Sequence, residues 1–344
     1  DKTTELENSF AGRIGAKHAL AMTNCTAALH LALAILDIGP GDEVIVPSLT
    51  FVATANAVKY VGATPVFADI TSLEDLTISP EDIEKKITDK TKAIMVMHYG
   101  GFACDMDKIM SIARKHNLKV VEDAAHSPAA TYKGRYLGTI GEVSAFSFFS
   151  NKNITTAEGG MLVTNDDNLA ERAKLMRSHG MTTMSYERFK GHATSYDVIE
   201  VGYNYRLDNV RSALGVTQLK KLDEDIERRK VLVKRYYENL KDIDGLIVPF
   251  MGKEEESTNY VFPVVLTENC PLDREEVRNR LSEAGIQTSV HYPSVHEFSI
   301  YRENYTRLPL TEYAARREIT LPLYYSMTIE QVDYVSNALE EILR

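Results

Sequence analysis

AIMVMHYGGFACDMDKIMSIARKHNLKVVEDAAH, residues 93–126, spans one strand–helix–strand unit. Residues 93–99 open as an almost unbroken apolar run, the pattern of a strand whose two faces are both covered. Residues 105–116 follow with a helical pattern, and residues 118–123 are again apolar until they end on two acids, Glu122 and Asp123. Working outward, the same alternation recurs. Residues 44–51, 64–70, 143–149 and 160–164 read as strands, and residues 54–60, 80–87 and 169–179 as helices. This alternation specifies an α/β fold with a mostly parallel central sheet.

The length of 344 residues accommodates about two domains of roughly 150 residues each. A charged helical stretch over residues 207–240 links a large domain, residues 1–225, to a smaller C-terminal α/β domain, residues 226–344. The smaller part shows strands at 260–266, 287–292 and 319–321, and helices at 273–284 and 328–343. A net charge of −10 argues against a nucleic-acid partner, which requires a concentrated basic face. Cys25, Cys104 and Cys270 form neither a disulfide framework nor a C-x-x-C pair, so the expectation is a reducing cytoplasm and no metal. No apolar run is long enough for a membrane span, and no signal-peptide pattern opens the sequence.

In open α/β sheets ligands bind beyond the carboxyl ends of the strands, and three motifs fall there. Asn24-Cys25-Thr26-Ala27-Ala28 is a small polar turn leading into a helical run. Its free N–H groups and the helix dipole suit an anion, although an ordinary N-cap looks the same in sequence. Glu122-Asp123-Ala124-Ala125-His126 places two carboxylates at the end of a buried strand. There burial raises their pKa unless a cation sits opposite, either a metal or a protonated pyridine. An acid that merely caps the next turn is the competing reading. Ser147-Phe148-Phe149-Ser150-Asn151-Lys152, followed by Glu158-Gly159-Gly160, delivers a hydroxyl and one lysine to the same rim. Lysines after strands are usually solvated, but one beside an aromatic strand and a Gly-Gly turn is a candidate imine-forming amine. Together the three motifs supply an amine, a carboxylate and a phosphate cup, as pyridoxal 5'-phosphate (PLP) requires.

The ordered series of these motifs resembles the DegT–StrS family of PLP-dependent nucleotide-sugar aminotransferases. It continues through Gly41-Asp42-Glu43-Val44-Ile45-Val46-Pro47-Ser48, Gly202-Tyr203-Asn204-Tyr205-Arg206 and Leu321-Pro322-Leu323, over nearly the whole chain. The resemblance implies the type I PLP-transferase fold, with the cofactor in the large domain. It also implies an amino group passed from glutamate to a keto-sugar on a nucleotide, by way of pyridoxamine 5'-phosphate, in deoxysugar biosynthesis. Lys152 takes the place of the Schiff-base lysine and Asp123 that of the partner of the pyridine nitrogen. Phe51 and Ala125 fall where the family covers the two ring faces, and His126 beside the ring hydroxyl. Cys25, Thr26, Ala27 and Ser147 match the phosphate cup. Asn204 matches a residue that reaches the cofactor phosphate of the neighbouring subunit, so a homodimer with shared active sites is expected.

Arg206, His291, Tyr292 and His296 are candidate substrate contacts, with a packed surface loop as the alternative for the last three. Cys25 stands where glycine is commoner, which requires a backbone angle open to any L-residue. Rival readings are a PLP-dependent sugar dehydratase, in which histidine replaces the lysine, transamination of a cyclic ketone such as an inosose, and a non-catalytic PLP-fold binding protein.

Overall fold

The computed structural model describes residues 1–182 and 196–344. Its centre is a seven-stranded sheet formed by β1 (His18–Met22), β2 (Glu43–Pro47), β3 (Thr64–Ala68), β4 (Thr91–Met97), β5 (Lys119–Asp123), β8 (Val143–Ser147) and β9 (Gly160–Thr164). The spatial order is β1-β9-β8-β5-β4-β2-β3. Pairs β2·β3, β2·β4, β4·β5 and β5·β8 are parallel, and β9 runs antiparallel to both β8 and β1. A small hairpin of β6 (Thr131–Tyr132) and β7 (Arg135–Tyr136) stands apart.

The polarity of this sheet collects the three motifs. The carboxyl ends of β2, β4, β5 and β8 point to one edge. Because β9 is reversed, it begins at that edge with Gly160, and β1, antiparallel to β9, ends there at Met22. The turn at Asn24, the acid at Asp123 and the loop carrying Lys152 are therefore neighbours, though distant in sequence.

Local chemistry explains the elements. In the helix Met106–His116, Asp105 accepts the Lys108 N–H as N-cap, Asn117 closes the end in the left-handed region, and Met106, Ile109 and Ala113 face inward. The opening helix, Lys2–Ile14, was not apparent from the sequence. It buries Leu6, Phe10 and Ile14 at helical spacing, and Phe10 packs edge-on against Phe146 and Phe148.

The C-terminal part contains an antiparallel sheet of β10 (Leu246–Ile247), β11 (Phe262–Leu266) and β12 (Glu318–Leu321), covered by the helices Leu222–Leu240 and Ile329–Leu343. Two expectations change here. The helical stretch over 207–240 is two helices, Asn209–Leu219 and Leu222–Leu240, and the expected boundary at 225/226 falls inside the second. Lys220 and Lys221 at the break are exposed and suit a helix surface as well as a turn, so periodicity runs through it. Residues 287–292 do not form a strand; Ser289 makes one bridge to Thr320. His291 gives its N–H to the Glu318 side chain instead of a ladder partner.

Candidate active site

At the collecting edge lies a cavity of about 420 Å³. It is lined by ten of the residues singled out from sequence: Cys25, Thr26, Phe51, Asp123, Ala125, His126, Ser147, Lys152, His291 and Tyr292. Parallel pairing sets Asp123 beside Met97 and Ala145, so β4, β5 and β8 present their ends side by side.

The cup is a helix N-terminus. Asn24, extended at φ −167, accepts the Ala27 N–H at 2.8 Å, while the Ala28 N–H bonds the Asn24 carbonyl. Among the described residues nothing pairs with the amides of Cys25 and Thr26 at the positive end of the helix Cys25–Ile35, an arrangement that suits a phosphate. Ala27 is buried and its N–H is already used, so it supports the cup from behind. Cys25 is a helical residue without positive φ, so the glycine it replaces is dispensable here. Burial, with Asp123 nearby, pushes its thiol well above the ordinary range and keeps it neutral. Gly160 passes beneath the cup, and a Cβ there would lie 2.6 Å from the Asn24 carbonyl carbon and 2.7 Å from the Cys25 nitrogen.

Strand alternation separates the two acids. Glu122 turns away from the cavity and accepts from His98 Nε2 at 3.0 Å and from the amides of Gly138, Ile140 and Gly141. Burial works to raise it, yet His98 and these amides hold it below the usual carboxylate range. It is a structural anchor. Asp123 faces the cavity, with Thr54 Oγ1 donating at 2.8 Å and the Ala125 N–H at 3.2 Å. Burial pushes its carboxyl up against the pull of Thr54, Ala125 and Lys152. An under-compensated anion of this kind fits a protonated pyridine nitrogen. Lys152, brought down to about 8 by burial, has its Nζ 4.2 Å from the centre of the Tyr260 ring. The amine, the acid and the helix-terminal amides match the groups that PLP presents.

Two neutral histidines complete the wall. Gly100 N–H donates to His126 Nδ1 at 3.2 Å, so the ring proton sits on Nε2 and donates to the Tyr292 hydroxyl at 3.0 Å. Burial first, then the charge of Lys152, keeps His126 far below its ordinary value. Burial likewise holds His291 at about 4. The Tyr260 ring lies 4.4 Å from that of His126, tilted by 31°.

Three expected contacts lie elsewhere. Asn204 and Arg206 line a separate cleft with Lys174 and Arg177. His296 is fully buried, with Nδ1 2.6 Å from Ser48 Oγ and its ring against Phe67 and Tyr305. Ser48, just beyond β2, and the surrounding aromatic rings draw it into the core, away from the cavity lining. Sequence reading missed Thr54 beside Asp123, Tyr260 in the cavity wall, and Glu318 and Thr320 behind His291. Thr54 has no signal beyond an ordinary helical position, and the other three belong to the C-terminal part.

The profile of the DegT/DnrJ/EryC1/StrS aminotransferase family matches residues 1–340. The chain belongs to this family. It is 42% identical over 337 residues to the GDP-perosamine synthase of Escherichia coli O157:H7, covering 98% of this chain and 89% of that one. The Helicobacter pylori aminotransferase PseC, involved in the biosynthesis of pseudoaminic acid, superposes with a TM-score of 0.92 at 30% identity, covering 100% of this chain and 91% of that one. The Streptococcus pneumoniae putative sugar aminotransferase Spr1654 superposes in its PMP form with a TM-score of 0.92 at 28% identity, covering 99% and 92%. The same protein in its PLP form gives 0.90. The type I PLP-transferase fold and PLP as cofactor follow from this kinship.

Proposed function

We propose that the protein transfers an amino group from an amino acid, glutamate by family resemblance, to the keto group of a nucleotide-linked deoxysugar. The observation that carries this reading is one cavity holding the desolvated amine of Lys152, the buried carboxylate of Asp123 and two free helix-terminal amides. Bound PLP supplies an electron sink for the carbon that loses or gains the amine, alternating with its pyridoxamine form. The protein's residues do the rest. The Cys25 and Thr26 amides would hold the phosphate, Asp123 would keep a proton on the ring nitrogen, and Thr54 fixes the rotamer of Asp123. Lys152 would supply the amine that bonds the cofactor and, when free, would move a proton as general base and acid. A value of about 8 leaves part of it neutral near physiological pH.

A homodimer with shared sites accompanies this reading. Val201 and Val210, on either side of Asn204 and Arg206 in sequence, are 81% and 82% exposed, an apolar surface of the kind a second copy covers. Asn204 and Arg206 would then serve the partner's cavity. Mixing Asn204→Ala with Lys152→Ala subunits should restore part of the activity if sites are shared.

Purified protein with PLP should show a visible absorbance that glutamate bleaches and a nucleotide-linked keto-sugar restores, with the aminated product seen by mass spectrometry. Absence of glutamate-dependent amination across a panel of keto-sugar nucleotides would refute the reading.

A further inference from the structure

A chain of hydrogen bonds runs from the interior of the C-terminal sheet to the wall of the Lys152 cavity. Glu318, on β12, is fully buried. Its Oε1 is 2.5 Å from Thr320 Oγ1, and its Oε2 accepts the His291 N–H at 2.8 Å. Thr320 Oγ1 lies 2.9 Å from His291 Nδ1. Tyr99 holds the same turn from the other side by donating to the His291 carbonyl. His291 lines the cavity and also the neighbouring cleft that Thr320 lines, and among the described residues its Nε2 has no hydrogen-bond partner. The second ring nitrogen is therefore the end of the chain left for a ligand.

The hydroxyl in the middle has one proton, which sets the polarity of the whole chain. With Glu318 ionised, Thr320 donates to the carboxylate, His291 Nδ1–H donates to Thr320, and Nε2 shows a lone pair to the cavity. With Glu318 protonated, each bond reverses and Nε2 carries a hydrogen.

We propose that Glu318, Thr320 and His291 form a proton relay ending at Nε2, in which Glu318 and Thr320 are positioning residues that decide whether this nitrogen accepts or donates. A proton taken at Nε2 releases the one on Nδ1 to Thr320 Oγ1, which passes its own to Glu318 Oε1. One proton enters from the cavity, one bond to hydrogen forms on the carboxyl, and the imidazole remains neutral. Under the proposed function, on which this use of the relay rests, the proton comes from the ammonium group of the incoming amino donor, which must lose it to become nucleophilic.

The surroundings suit such a store. Burial raises Glu318 to about 8, against Thr320, the His291 N–H, and Arg274 and Arg278 on the helix Arg274–Glu283. The Tyr99 and Tyr292 hydroxyls also feel its charge. His291 is itself poor at keeping a charge, because of burial and of Lys152. It passes protons on and does not hold them.

Nitrogen-15 NMR of imidazole-labelled apoprotein tests the relay without any substrate. The expected result is an Nδ1–H tautomer of His291 above pH about 8 and an Nε2–H tautomer below it. Glu318→Gln and Thr320→Val should each abolish the change, and Thr320→Ser should restore it. In the holoenzyme, Thr320→Val should lower kcat/KM for glutamate by about 100-fold, the low end for loss of general base catalysis. It should also erase the corresponding limb of the pH profile, with the keto-sugar KM unchanged. One tautomer throughout the range in the wild type, or a Thr320→Val protein that keeps both the switch and the limb, overturns the relay. If Glu318→Gln does not fold, the Thr320 pair decides. If the wild type aminates no keto-sugar, the proposed function fails while the NMR result still decides the relay.

Discussion

Replacing Gly160 with alanine should weaken PLP binding more than it weakens the fold. Gly160 is pinned on both sides, opposite Met22 on β1 and Ser147 on β8, so the strand cannot slide away from a new methyl group. That methyl would sit 2.6 Å from the Asn24 carbonyl carbon, 2.7 Å from the Cys25 nitrogen and 2.8 Å from the Asn24 oxygen. The first is about 1 Å inside the usual 3.5–4.0 Å between carbons. All three are backbone atoms, which cannot rotate aside as a side chain can. Overpacking of this kind costs about 1–3 kcal/mol. The element that can retreat is the turn at Asn24, because the sheet is held by its ladders. Its retreat misplaces the free amides of Cys25 and Thr26, so the dissociation constant of PLP should rise by about 10- to 100-fold. The assay is a titration of apoprotein with PLP followed by absorbance, beside thermal unfolding of the apoprotein. Gly12→Ala is the control, since nothing lies within 4 Å of the Cβ it would add inside the helix Lys2–Ile14. There alanine should stabilise by about 0.5–1 kcal/mol and leave PLP affinity alone. A Gly160→Ala protein that binds PLP as tightly as the wild type would refute the argument. So would one whose whole cost appears as lowered thermal stability.

Lys152→Met should stabilise the apoprotein. Lys152 falls from 10.5 to about 8 on folding, so the native state carries a buried charge below pH 8. At about 1.4 kcal/mol per tenfold change in proton affinity the advantage is on the order of 3 kcal/mol there, and it should vanish as pH rises to 10.5. Glu318→Gln should show the opposite trend in denaturant melts. Glu318 rises from 4.5 to about 8 on folding, so wild-type stability falls across that interval. The variant should gain on it by at most roughly 5 kcal/mol above pH 8, and equal stability at high pH would contradict this. Thr54→Val removes the hydroxyl donor to a buried acid and should cost about 1–3 kcal/mol of stability. Asp123→Asn should retain PLP through the cup yet lose most turnover in a coupled glutamate assay, and normal turnover would remove Asp123 from its role.

The sequence by itself determined the sheet and the chemistry nearest the cofactor. Apolar runs such as Ala93-Ile94-Met95-Val96-Met97 mark strands covered on both faces, and the turns after them carry Asn24, Asp123 and Lys152. These signals are local, because a strand's burial and its terminal residue can be read within a few positions. Phe51, Ala125, His126 and Ser147 were named through the family resemblance, and each lies within a few residues of a strand's end and lines the cavity.

Tertiary structure alone decided what the two adjacent acids are paired with. Glu122 is compensated by His98 and three amides from residues 138–141, and none of these contacts is implied by spacing. The fate of three histidines was equally hidden. His126 is bare at Nδ1 because Gly100 donates to it, His291 is joined to Glu318 through Thr320, and His296 is locked into the core by Ser48. A side chain's protonation and direction depend on partners brought from as far as 248 positions away. Short-range pattern gives the order of the strands' contents, and long-range contact gives each polar atom its partner.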